Sequence, residues 1–461
     1  MPPYFNAFGE VLTFGVELEF YVPWETHAGT MNKPERFANH PGGPLYISPE
    51  ELYDFGGEPD NLVFDGLTEA IRPILETIKR GVMADAPDEY AEWSFKEDGT
   101  LSSQSSDQIR ETRAGYHGWQ GVELVSPVLL ADRDGFYELL QVIEFLRNNF
   151  WIDTSDRAGF HIHVGNGNGT FERFSLRRIG YLLYQADPIL AQSHPPHRRN
   201  NIWAPSNRFF SRVSFGMKAH HAIAHPPEPI EVNQDPVAQP WWSRWSDPSR
   251  RSSEQRAELR ERIYPLRPTR LAYPTEPSGY PYYILGTMLR DRDDYGIVHD
   301  ENSITPISMS DASYELLAAP TRDILAQLLA VGAPGRTYRA AYNFEAYMDE
   351  HGHIGTIEFR QPESTIDAAA VVCYVSLALR LCEYAAIADE NTLSKISVDL
   401  RVAEEAPAFY DLYDFLLDVD LGPEADFLSS ISQGDDKDAT GRRYLEEIDL
   451  VRPRPAPAGP S

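Results

Sequence analysis

Cysteine is scarce, with Cys373 and Cys382 the only two in the chain, both inside one apolar stretch. That excludes a disulfide framework, and the pair reads as buried thiols in a reducing compartment. Basic residues are also short, 41 Lys and Arg against 70 Asp and Glu, for a formal net charge of −29. This balance excludes a broadly basic surface and argues against general binding to nucleic acid or anionic membranes, while leaving room for a local basic pocket. Long apolar runs are missing. The longest uncharged one, AAAVVCYVSLAL at 368–379, is bounded by Asp367 and Arg380 and is too short to span a bilayer. The opening MPPYFNAFGEVLTF has no basic segment followed by an apolar one, so no secretory signal is expected. No repeat recurs at a fixed period. The expectation is a soluble, cytoplasmic protein.

The 461 residues, 42% hydrophobic and 24% charged, are enough for a large core. Length alone allows about three domains or one large domain with insertions. The segment 8–22 reads as strand, whereas 27–60 is rich in Pro, Gly and Asn and reads as a loop-rich insertion. Helical spacing runs over 61–82, where Pro73 must kink or end a piece, over 135–149 and over 173–192. Strands are expected at 92–101, 121–130 and 159–167, and a strand pair over YRAAYNFEAYM and GTIEFRQP, joined by DEHGHIG. A nearly all-apolar helix is expected at 365–388, with further helices over 311–331 and 408–420. The Pro-, Trp- and Arg-rich stretch 226–300 reads as an elaborated loop or lid, with Trp241, Trp242 and Trp245 packing it on the body. Residues 426–461 read as a weakly ordered acidic and Pro-rich tail, which leaves 1–425 as the folded domain.

The chemistry concentrates on strands. In FGVELEF, residues 14–20, alternation puts Glu17 and Glu19 on one face and Val16, Leu18 and Phe20 on the other. Like charges about 4 Å apart repel by roughly 4 kcal/mol at an effective dielectric near 20, so a positive partner is required. The same pattern recurs at Glu123 in GVELVSP, at His161 and His163 in GFHIHVG and at Glu358 and Arg360 in TIEFRQP. Each motif alone reads more readily as a solvated edge, a satisfied histidine pair or a cross-strand ion pair. If the strands adjoin in one antiparallel sheet, their carboxylates and imidazoles converge on a concave face suited to Mg²⁺ or Mn²⁺.

Together, FGVELEF, W-x-F-x-x-D-G-T, GVELVSP, GFHIHVG, R-x-x-x-N and TIEFR resemble the amidoligase family, which is similar to glutamate–cysteine ligases and more distantly to glutamine synthetase. The resemblance spans about 12–390, interrupted at 27–60 and 226–300. It implies an α+β fold with a glutamine-synthetase-like antiparallel curved sheet flanked by helices. It also implies joining of a small-molecule or peptide carboxylate to an amine, using ATP and Mg²⁺ or Mn²⁺ and passing through an acyl phosphate. Under that resemblance Glu17, Glu19, Glu123, His161 and Glu358 are metal ligands and His163 faces phosphate. Arg360 neutralises the transferred phosphoryl group, Arg339 and Asn343 line the nucleotide or acyl-phosphate side, and Asp98 orients the amine or a metal-bound water.

Other signals carry less. GNGNGT at 165–170 lacks the Lys-Ser/Thr of a phosphate-binding P-loop and reads as a turn. Histidines 194, 197, 220, 221 and 225 are loosely spaced and read as loop residues. The RRNN at 198–201 reads as a solvated patch, with Arg199 kept as a candidate for substrate or phosphate. Two other readings stay open: a metal-dependent amidohydrolase, in which H-x-H on a strand also binds metal, and a non-catalytic nucleotide- or peptide-binding descendant.

Overall fold

The computed structural model describes residues 3–54, 59–84, 86, 88–101, 104–114, 116–155, 157–167, 169–199, 203–214, 216–219, 307–333, 336–348, 355–405 and 409–450. The stretch 226–300, the histidines at 220, 221 and 225, the three clustered tryptophans and residues 451–461 lie outside them.

Among the described residues, helices and strands mix around a sheet of eight strands. The strands are β1 (Thr13–Glu25), β2 (Leu45–Tyr46), β3 (Ser94–Lys96), β4 (His117–Val125), β5 (Leu129–Leu130), β6 (Phe160–Gly165), β7 (Val331–Ala333), β8 (Arg336–Tyr338), β9 (Tyr342–Asn343) and β10 (Ile357–Phe359). The sheet order is β3-β4-β1-β6-β10-β9, all antiparallel; β5 joins β1 antiparallel and β2 joins it parallel, while β7 and β8 form a separate hairpin. The four motif-bearing strands therefore lie side by side, β4-β1-β6-β10.

The longest strand, β1, sets the register. Phe14, Val16, Leu18, Phe20 and Val22 are buried in the main core, and each such side chain contributes about 1.5–3 kcal/mol on burial. A one-residue slip would bring Glu17 and Glu19 into that core, so the apolar face fixes the polar one. Opposite them in the core are Val122 and Leu124 of β4, Phe160, Ile162 and Val164 of β6, and Ile357 and Phe359 of β10. Helix Asp60–Leu75 covers β3 and β4, and helix Ala368–Ile387 packs on β6 and on helices Arg133–Asn149 and Arg173–Leu190. By length and composition Ala368–Ile387 could cross a membrane, but here it is the central core helix. Asp367 caps its start, accepting from the Ala369 and Ala370 amides.

On the opposite face, part of the 27–60 stretch is structural. Met31 and Phe37 join Tyr21, Leu101, Trp119, Trp151 and Ala158 in a second buried cluster. Phe37 stacks on Trp151, and the Arg36 guanidinium lies 5.0 Å from the Trp119 ring. This cluster walls the carboxylate face where β1 runs on past Glu19.

The C-terminal expectation needs correction. Residues 426–450 are not a loose tail: helices Gly422–Ser432 and Lys437–Glu447 pack on each other and on Ala368–Ile387. The reason is a sharply one-sided pattern. GDDKDATGRR supplies solvated faces, while Phe427 and Tyr444 stack at 4.9 Å and Leu445 and Leu450 are buried. Contact is close enough that a Cβ on Gly441 would meet the Ala369 Cβ at 2.9 Å. At 165–170 a turn does follow β6, with Gly167 at φ +61° and the Gly169 amide donating to the Asn166 carbonyl.

Candidate functional site

Cross-strand register assembles the site. Glu17 lies opposite His161, Glu19 opposite Glu123, and Glu123 in turn opposite Lys96. On the other side Glu358 lies between His163 and Asn343. Because side chains directly opposite across an antiparallel pair share a face, these residues form one polar surface crossing six strands.

Its centre is a knot of two imidazoles and three carboxylates. His161 Nδ1 is 3.2 Å from Glu17 Oε2 and 3.8 Å from Glu358 Oε1, and its Nε2 is 3.6 Å from Glu19 Oε1. His163 Nε2 is 3.4 Å from Glu17 Oε1, and its Nδ1 is 3.3 Å from the Thr356 hydroxyl. Arg360 follows β10 on the Glu358 side. Its Nη1 contacts Glu358 Oε1 directly and lies 3.5 Å from His161 Nδ1, while its Nε donates to the Trp203 carbonyl. Asn343 donates from Nδ2 to Glu358 Oε2 at 2.8 Å.

Burial pushes the Glu17 carboxyl up, but the hydrogen bonds and charges of His161 and His163 outweigh it and hold Glu17 far below the usual range. Burial likewise raises Glu358, and His163, Arg360, His161 and Asn343 overcome it, bringing the carboxyl down to about 2. His163 shows the reciprocal effect: burial lowers its pKa, and Glu17 and Glu358 raise it further than burial lowers it. Glu17 and Glu358 are therefore anionic at neutral pH, as cation donors must be.

The other half of the surface carries surplus negative charge. Burial and the neighbouring Glu17 push Glu123 up to about 7, although the Lys96 amine sits 3.1 Å from it. Burial also raises Glu19, and Asp98 adds to the shift, despite His161 and a 2.6 Å hydrogen bond from the Gly159 amide. Asp98, just after β3, is thus within electrostatic reach of both Glu19 and Glu123.

The Glu17, His163 and Glu358 donor atoms lie within 4.8 Å of one another, close enough for a single ion. In octahedral coordination at about 2.1 Å, neighbouring donors stand about 3 Å apart and opposite ones about 4.2 Å. The donor set fits a hard divalent cation that tolerates one imidazole. His163, expected at phosphate, is one of these three donors, and His161 lies against the same two carboxylates.

Two candidates stand apart. Arg339 is exposed beyond β8, and no hydrogen bond or ion pair among the described residues ties it to the surface. Arg199 donates from Nε to the His194 carbonyl and lines a different cavity. The neighbouring Arg198 is the buried member of the pair. It donates to the carbonyls of Arg360, Gln361 and Pro362, clamping the chain beyond β10, and carries its charge towards Glu19. Burial lowers its pKa to about 10, still charged at neutral pH. Nothing in RRNN distinguishes the two arginines, since the turn alone decides which points inward. Lys96, also missed, was legible: Trp93 and Phe95 are buried, so alternation sends Lys96 to the glutamate face.

Gly159 has a packing role. A Cβ there would lie 2.9 Å from His161 Nε2 and 3.3 Å from Arg198 Nη2. We expect Gly159→Ala to displace the His161 ring and to weaken Mn²⁺ binding by roughly tenfold, the lower end of effects seen when a metal ligand loses its support. Titration by electron paramagnetic resonance checks this; unchanged affinity would remove His161 orientation from the account.

A search of the curated proteins found no match to the chain. Residues 10–209 match a family model, and the match takes in Glu17, Glu19, Lys96, Asp98, Glu123, His161, His163 and Arg198, while Arg339, Asn343, Glu358 and Arg360 lie beyond it. The family model that matches this segment, which carries β1, β4 and β6, is described as "Putative amidoligase enzyme".

Proposed function

We propose that this protein is an ATP- and divalent-metal-dependent carboxylate–amine ligase. It forms an amide bond through an acyl phosphate on a sheet curved like that of glutamine synthetase, and it acts on small-molecule or peptide substrates in the cytoplasm. The observation that carries the reading is the convergence of Glu17, His163 and Glu358 donors beside the Arg360 guanidinium, in a chain whose residues 10–209 match an amidoligase family.

Glu17, His163 and Glu358 would hold one Mg²⁺ or Mn²⁺, with His161 alongside; Glu19 and Glu123 offer oxygens to another. When bound, such ions would neutralise charge on phosphate oxygens, and ATP would supply the phosphoryl group that turns a carboxylate oxygen into a leaving group. The protein's own groups hold the reactants in line. Arg360 offers a planar fork to the phosphoryl group as charge builds on it. Asn343 fixes Glu358, and Arg198 fixes the backbone that carries Arg360. Asp98 orients the amine, and a carboxylate nearby can take the amine's proton.

The test is an acid-plus-amine screen that reads ADP and the mass of the condensed product. ADP release should require Mg²⁺ or Mn²⁺, an acid and an amine together. Amide hydrolysis without ATP would replace this reading with a hydrolase, and nucleotide binding without turnover over a broad panel would leave a binding protein.

A further inference from the structure

A cavity of about 540 Å³ lies off the end of β10, away from the carboxylate surface. It sits between residues 192–199, the start of helix Ala368–Ile387 and helices Leu412–Asp418 and Gly422–Ser432. The volume is that of a small-molecule site. One wall is apolar, made by Tyr374, Leu416, Phe427, Leu428 and Ile431.

The polar groups around it divide in a telling way. Three acids line the cavity, and each is engaged elsewhere. Asp367 and Asp411 accept helix-start amides, and Glu363 Oε1 is 3.2 Å from His197 Nε2. The two long cations are not matched by them. Lys437 has no ion pair among the described residues. Arg199 spends Nε on the His194 carbonyl, has no ion pair among the described residues, and burial shifts its pKa downward. A half-buried guanidinium without a counter-ion is costly unless an anion arrives. His194 adds a third polar feature. Its ring stacks on Tyr374 at 5.3 Å, and its buried Nδ1 has no hydrogen-bond partner among the described residues.

We infer that this cavity is a second ligand site, taking a molecule with an apolar body and a single carboxylate: the body against Tyr374, Phe427 and Leu428, the carboxylate between Arg199 and Lys437. The carboxylate suits the arginine fork, which can accept it through two parallel hydrogen bonds. The inference does not depend on the reaction proposed above, because no group of the carboxylate surface lines this cavity.

Calorimetric titration of the full chain with 4-phenylbutyrate, and with the neutral 4-phenylbutan-1-ol, tests it. The acid should bind at least roughly tenfold more tightly than the alcohol, the scale of one charged hydrogen bond. Arg199→Gln and Lys437→Gln should each weaken the acid by roughly five- to tenfold and leave the alcohol unchanged. Lys437 is exposed, so its variant tests the site even if Arg199→Gln disturbs the 192–199 turn. Mn²⁺ affinity should be the same in wild type and Lys437→Gln, which separates this site from the carboxylate surface. Equal affinities for acid and alcohol, no acid binding, or acid binding untouched by Lys437→Gln would each overturn the inference.

Discussion

Glu17→Gln is expected to weaken Mn²⁺ binding by at least about a hundredfold, since loss of a mere supporting partner of a metal ligand already costs about ten- to a hundredfold. The proposed ATP-dependent amide formation should fall below detection. The substitution preserves shape and removes one anionic oxygen, so what it tests is charge. Glu17 is the residue on which both halves of the surface depend. It contacts both imidazoles, at 3.2 Å and 3.4 Å, and its charge helps raise Glu123 across the sheet. A neutral amide keeps one acceptor and turns an NH₂ towards a second imidazole, so the donor group loses both a ligand and its ordering. Circular dichroism and a thermal melt of the metal-free variant separate this from unfolding. A folded Glu17→Gln protein that still binds Mn²⁺ like the wild type would show that the cluster is an ordinary polar network.

Arg360→Ala should act on rate instead of metal. We expect kcat to fall by roughly a thousandfold, the lower bound for removing an arginine that meets charge on a transferring phosphoryl group. Mn²⁺ affinity without nucleotide should be unchanged or higher, because a positive charge next to Glu358 has been removed. A competing effect must be controlled. Glu358 and Arg360 form a buried contact, and breaking such a pair costs about 3–5 kcal/mol. Arg360→Lys supplies the control: it keeps the charge and loses the fork, so it should restore stability and recover only part of the rate. If Arg360→Ala lowered kcat and Mn²⁺ affinity by the same factor, Arg360 would be holding the donor group in place and not meeting the substrate.

These two residues also show what was legible in the sequence. Alternation alone placed Glu17 with Glu19 and Glu358 with Arg360, because period-two patterning reports which face a side chain takes. Whether four distant strands would adjoin is a long-range matter that no local pattern encodes. The sheet order β4-β1-β6-β10 brings them together. Finer geometry was less accessible. His161 and His163 are equivalent by alternation, yet His163 meets Glu17 and the Thr356 hydroxyl while His161 faces three carboxylates. Arg198 and Arg199 are adjacent in sequence and end in different places, one beneath the site and the other at a separate cavity. The last helices were hidden by composition: their solvated faces carry most of the charge, and a few buried residues, Phe427, Tyr444 and Leu445, hold them to the core. Lys96 marks the opposite case, a residue that the alternation in SFK could have assigned to the glutamate face.

The central claim is that the sheet face gathers donors for a divalent ion, and a crystal soaked in Mn²⁺ tests it most directly. The account predicts an anomalous difference peak about 2.1–2.3 Å from a carboxylate oxygen of Glu17, one of Glu358 and a ring nitrogen of His163. A well-diffracting, Mn²⁺-saturated crystal with no peak among those three side chains, or with the ion bound only elsewhere, would contradict it.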